Sequence, residues 1–145
     1  MNPAPFRIEP ADGLIITITA GHTPTANVHD PESNYCRDFY WVPVIGPAAW
    51  ITWANLVAWL PDTDGPTIDI NYNQLAASIG TRPARLTRTL QRVAAFHLAY
   101  TIPAEPATLY LKRAAPTLSK RMLDGLADTC PALVAAHDHM VSSAA

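Results

Sequence analysis

The chain has 145 residues, 49% hydrophobic and 15% charged, with a formal net charge of −2. That is enough apolar content for one sizeable core, while no uninterrupted apolar run reaches the about 20 residues that a transmembrane helix needs. Two cysteines, Cys36 and Cys130, far apart and in no CxxC pair, argue against a disulfide framework or a zinc ribbon and fit a reducing cytoplasm.

Residues 1–13 carry three prolines and little periodicity, and read as a loose arm without the basic, apolar and small-residue succession of a secretory signal. Residues 14–20, LIITITA, are β-branched and predict a strand. Residues 21–37 read as a long loop rich in Thr, Pro, Asn, His and Asp. Residues 38–45, DFYWVPVI, read as an edge strand or extended segment because of Pro43, and pairing with 14–20 would make a small N-terminal hairpin or sheet. Phe39, Tyr40 and Trp41 are expected to cover the core, with a partner surface as the other reading.

Gly46-Pro47 opens a helix expected to run to Leu60, with Trp50, Trp53, Ala54, Val57 and Leu60 on one buried side. It holds no Lys or Arg, so its tryptophans read as packing anchors and not as a base-stacking platform. Asp62 to Gly65 marks a turn, and 67–70 alternates as a short strand.

The stretch from Asn73 to His97 predicts two helices around a tight turn. Asn71 or Asn73 can cap the first, and Leu75, Ala76 and Ile79 form its apolar face. Gly80 stops it, since glycine enters the left-handed conformation freely. Thr81 is the expected cap of the second helix, with Pro83 in its first turn. Leu86, Leu90 and Val93 fall at i, i+4 and i+7 and predict a core stripe. Arg85, Arg88 and Arg92 fall at i, i+3 and i+7 on a second stripe, extended by Arg82 and Thr89. A short helix, a turn and a helix with a polar outer face make a helix-turn-helix, a geometry that can put the second helix into the major groove. The plainer reading is an all-α unit whose arginines are a solvated face.

The charge map favours the first reading. From Gly80 to Arg121 there are eight basic residues, namely Arg82, Arg85, Arg88, Arg92, Lys112, Arg113, Lys120 and Arg121, against Glu105 alone. That segment carries +7 and the remainder −9, so a polyanion is drawn to one part of the chain.

Residues 98–102 and 108–112 predict two strands joined through Pro103, Glu105 and Pro106, with Tyr100 opposite Leu109 or Leu111. Lys112 and Arg113 would lie near the basic helix if that hairpin folds back. Residues 116–140 return to helix, with Leu118, Met122, Leu123 and Leu126 as an apolar face and Pro131 as a break before a last helix. These helices are the candidate surface for a homodimer through 116–141, or else they close the monomer's own core. The final SSAA is expected to fray.

The order of elements over residues 47–113, with YNQLAASIG…LTRTLQRVAAFHLAY running directly into a hairpin, resembles the winged helix-turn-helix family of DNA-binding domains found in small bacterial and phage regulators. The resemblance implies an α+β, mainly α fold. An arm with short strands would occupy 1–45, a winged helix-turn-helix 46–115 and C-terminal helices 116–145. It implies sequence-specific binding of double-stranded DNA by a transcriptional regulator near the nucleoid, a repressor for preference, reading the major groove with helix 82–96. The DNA-binding set would be Thr81, Arg82, Arg85, Arg88, Thr89, Arg92, Lys112 and Arg113. Arg85 and Arg88 are expected at base edges and Arg82, Arg92 and Lys112 at phosphates. The wing tip, residues 103–107, departs from the family's pattern, since it bears Glu105 and no Lys or Arg. The competing readings are a protein-interaction module on a winged scaffold and an accessory factor in recombination or replication.

No GxSxG, HExxH or Walker motif is present, so neither an enzyme nor a cofactor is expected. His137 and His139, two apart on a helix, point to different faces and make a poor metal pair. His97 reads as a cap or surface residue, and Asp62 and Asp64 as turn residues.

Overall fold

The structure, a computed structural model, describes residues 6–22, 28–37, 40–60 and 67–143. Residues 1–5 of the expected arm, Asp38, Phe39, the turn at 62–65 and the terminal Ala144 and Ala145 lie outside the described residues.

Helices and a small sheet are combined, as the α+β expectation had it. The elements in chain order are β1 (Ile15–Ala20), β2 (Val28–His29), α1 (Asn34–Arg37), α2 (Val42–Ile45), α3 (Pro47–Trp59), β3 (Thr67–Asn71), α4 (Tyr72–Ile79), α5 (Pro83–Ala95), β4 (Ala99–Ile102), β5 (Glu105–Leu111), β6 (Ala115–Pro116), α6 (Lys120–Ala127) and α7 (Pro131–Ser143). Among the described residues no helix is long and apolar enough to cross a membrane.

The main sheet has the order β3-β1-β5-β4. The first strand therefore lies inside it, antiparallel to β3 with Ile16 opposite Ile70, and parallel to β5 with Thr17 opposite Thr108. This corrects the expected pairing of 14–20 with 38–45 in a hairpin or sheet. Residues 42–45 are not a strand, because Pro43 sits in the first turn of α2, where a missing N–H costs nothing. The neighbouring Tyr40 and Trp41 are buried, and Trp41 Nε1 donates to the Pro116 carbonyl at 2.8 Å. The long loop expected at 21–37 also holds β2 and α1, and β2 pairs with β6.

Strand alternation explains how β1 fits. Ile16 and Ile18 point into the core, while Ile15, Thr17 and Thr19 face outward. On the same inner face lie Leu109, Leu111, Ala99 and Thr101. The β4–β5 register sets Tyr100 opposite Tyr110, not Leu109 or Leu111 as expected, and the two rings stack at 5.1 Å. The leucines need the buried face, so a one-residue change of register would expose them.

One hydrophobic cluster takes in Phe6 and Ile8 from the start of the described chain, Trp50 and Trp53 of α3, the leucines of α5, and Leu118 and Leu126 near the end. All three expected segments thus contribute to one core. Met122, Leu123, Leu133, Val134 and Met140, partly buried, also pack against it.

The helix pair came out close to expectation. The Asn71 side chain accepts from the Asn73 and Gln74 amides at 2.9 and 3.2 Å and so caps α4. Gly80 ends α4 at φ 82°, and Pro83 opens α5. Leu86, Leu90 and Val93 are fully buried against α3 and the sheet.

Candidate nucleic-acid interface

Helix α5 buries its leucines and leaves Arg82, Arg85 and Arg88 exposed on the other side. Among the described residues none of these three makes an ion pair or a side-chain hydrogen bond. Thr89 is half-buried beside them. Arg85 and Arg88 form a wall between two clefts. One, of about 660 Å³, is bordered by Gly80, Thr81 and Arg82 at the start of α5. The other, of about 430 Å³, is closed on its far side by Ile45, Gly46, Pro47, Ala48 and Ala49.

The second cleft contains the N-terminus of α3, whose place beside α5 the sequence reading did not foresee. Gly46 is its N-cap at φ 94° and gives no side-chain cap, and Pro47 has no N–H. The remaining first-turn amides and the positive end of the helix dipole therefore have no acceptor from a capping side chain. The signal was present as Gly46-Pro47, a helix start, but nothing in the sequence placed that start beside the arginines of α5.

Arg92 departs from the expected outer stripe. Its Nε donates to the Ile45 carbonyl, and a terminal nitrogen donates to the Val44 carbonyl at 3.1 Å. Its guanidinium also lies 5.2 Å from the Phe96 ring centre. These carbonyls end α2 and have no helical partner, so a cationic donor is drawn to them. Arg92 fixes the turn between α2 and α3 and is already engaged before any ligand arrives.

Thr81 does not cap α5. The N-cap is Arg82, with no side-chain cap bond, and among the described residues the buried Thr81 Oγ1 has no hydrogen-bond partner. After α5 the chain turns through His97, exposed and at φ 62°, into β4.

Lys112 and Arg113 are not brought to this face. The Lys112 carbonyl accepts from Trp53 Nε1 at 3.0 Å, midway along α3. Arg113 borders a third cleft with Asp30, Glu32, Val57 and Leu60, at the C-terminal end of α3. The Arg85 and Arg88 clefts adjoin the other end of the same helix. The ten positions from Ala48 to Ala58 span about 15 Å at 1.5 Å per residue. The expectation that Lys112 and Arg113 join the basic helix is corrected by that separation.

His137 is buried and His139 exposed, so the two do not face a common point. Comparisons of the chain with protein-family models, with curated proteins and with solved structures gave no match.

Proposed function

We propose that the chain binds double-stranded DNA in the manner of a winged helix-turn-helix regulator, with α5 as the recognition helix. The observation that carries the reading is the row of exposed, unpaired Arg82, Arg85 and Arg88 backed by fully buried Leu86, Leu90 and Val93. A helix held down on one side and cationic on the other is what a major groove accepts.

The roles divide by position. Arg85 and Arg88, which border both clefts, suit bidentate donation to guanine O6 and N7, worth about 1–3 kcal/mol of discrimination per pair. Arg82, at the start of α5, suits a phosphate, as does the uncapped N-terminus of α3. Arg92 leaves the contact set and acts on the scaffold. Lys112 and Arg113 stand apart from that row, along and beyond the middle of α3. Regulation of transcription, with repression preferred, is the role that such a small domain fits.

The test is duplex binding across a salt series. Binding to random duplex that weakens linearly in log salt, followed by enrichment of a preferred sequence from random fragments, supports the reading. No shift at low salt would overturn it and favour a protein partner. Within the enriched site, Arg88→Ala is expected to lose far more affinity for that site than for random duplex, and Arg82→Ala to weaken both alike.

A further inference from the structure

The leucine stripe of α5 fixes where the rest of that helix points. At about 100° per residue, the direction opposite Leu86, Leu90 and Val93 falls on Ala84, Arg88 and Ala95. All three are exposed. On one flank of this arc, Arg92 is drawn onto the Ile45 and Val44 carbonyls. On the other flank, the Thr87 hydroxyl lies 2.8 Å from that of Tyr72. Between these flanks the open arc holds Ala84, Arg85, Arg88, Gln91 and Ala95.

Gln91 has no part in the contacts assigned so far, yet it is well placed for one. It stands about 50° from the point opposite the core, nearer to it than Arg85 at about 75°. It is exposed, and among the described residues its side chain makes no hydrogen bond. Three residues separate it from Arg88, about 4.5 Å along the helix, against about 3.4 Å from one base to the next. Ala84 and Ala95 carry nothing beyond Cβ, so the α5 backbone can come close to base edges between these longer side chains.

We infer that Gln91 is a base-reading residue, selecting adenine at the base pair next to the guanine taken by Arg88. The inference rests on the DNA-binding reading of α5. In the major groove adenine presents the N6 donor beside the N7 acceptor, and the Gln91 amide answers both, Oε1 accepting and Nε2 donating. Guanine presents two acceptors there and would leave Oε1 facing one of them. A phosphate is the poorer use of this side chain, because a neutral amide releases no counterion from the polyanion.

The experiment selects duplex from a random-sequence library with the full chain as wild type, Gln91→Ala and Gln91→Glu in parallel. The position is exposed and alanine favours helix, so the circular dichroism of Gln91→Ala should match the wild type. The wild-type site is expected to carry an A·T pair beside a G·C pair. Gln91→Ala should keep the guanine, lose the preference at the neighbouring pair, and bind the wild-type site about 10-fold to 100-fold more weakly. Its affinity for random duplex and its salt slope should be unchanged, since no phosphate contact is removed. Gln91→Glu, which can only accept, should move the preference from adenine to cytosine, whose N4 donates. A wild-type site with no adenine beside the guanine, an adenine preference that survives Gln91→Ala, or equal losses on selected and random duplex would each overturn the inference while the DNA reading stands. A wild type that shifts no duplex at low salt would sink that reading, and the role of Gln91 with it.

Discussion

The Tyr35 hydroxyl lies 2.7 Å from His137 Nε2, joining α1 to α7 in the interior. The same oxygen accepts the Leu118 amide proton at 2.7 Å. Its own proton is free to go to Nε2, and the other ring nitrogen, Nδ1, lies 3.3 Å from Asp138 Oδ1. Burial pushes the Tyr35 phenol up to about 12, so it stays a donor at any ordinary pH. Tyr35→Phe strands the Leu118 N–H and His137 Nε2 away from water, at a cost of about 1–3 kcal/mol for each group left unpaired. We expect a lower denaturant midpoint and faster hydrogen exchange in α7. An unchanged midpoint would show that water replaces the hydroxyl.

Acid should weaken the same region through His29. Its ring stacks on Tyr35 at 4.0 Å, and its Nε2 is 2.7 Å from Thr117 Oγ1. Burial holds its pKa below the ordinary 6.5, with His137 adding to that and Asp30 opposing it. The unfolded chain therefore takes up the proton first, and stability rises with pH through that window. The contribution is complete above about 6.5 and is lost as pH falls from there through the lower folded value. Unfolding midpoints between pH 7.5 and 5 should fall more steeply for the wild type than for His29→Gln. Parallel slopes would assign the acid sensitivity to other groups.

Two arginines a single turn apart should separate in their effects. Arg92→Ala removes donors from the Ile45 and Val44 carbonyls and is expected to cost about 1–3 kcal/mol of stability. Arg88→Ala removes no hydrogen bond or ion pair among the described residues and should stay within about 0.5 kcal/mol of wild type while losing duplex affinity. Thermal melts and binding isotherms on both variants decide the matter, and a stable Arg92→Ala with selective loss of binding would return Arg92 to the contact surface.

This contrast also shows what could be read from the residues alone. The α4–α5 pair was legible because Asn71, Gly80, Pro83 and the leucine spacing are local signals with local causes. The α3 packing face was legible for the same reason. The course of the Arg92 side chain was not, since it depends on carbonyls that are distant in sequence. Nor were the partners of β1, because a strand of alternating Ile and Thr says that it pairs but not with what. The segment at 42–45 misled through Pro43, which fits an edge strand and a first helical turn equally well.

The interior position of β1 can be tested directly. Ile18 is buried between the sheet and the helices, and Ile18→Ala should cost about 2–5 kcal/mol, as for other large-to-small core changes. A loss under about 1 kcal/mol would fit a peripheral strand instead.

That strand also dictates when the protein can fold. Thr17 is made well before its parallel partner Thr108, and β3, α4, α5 and β4 must be made in between. The slot between β3 and β5 cannot close until then, and loop closure over such a distance is slow. In the interval Ile16 and Ile18 are without cover, which makes the nascent chain a natural client for chaperones.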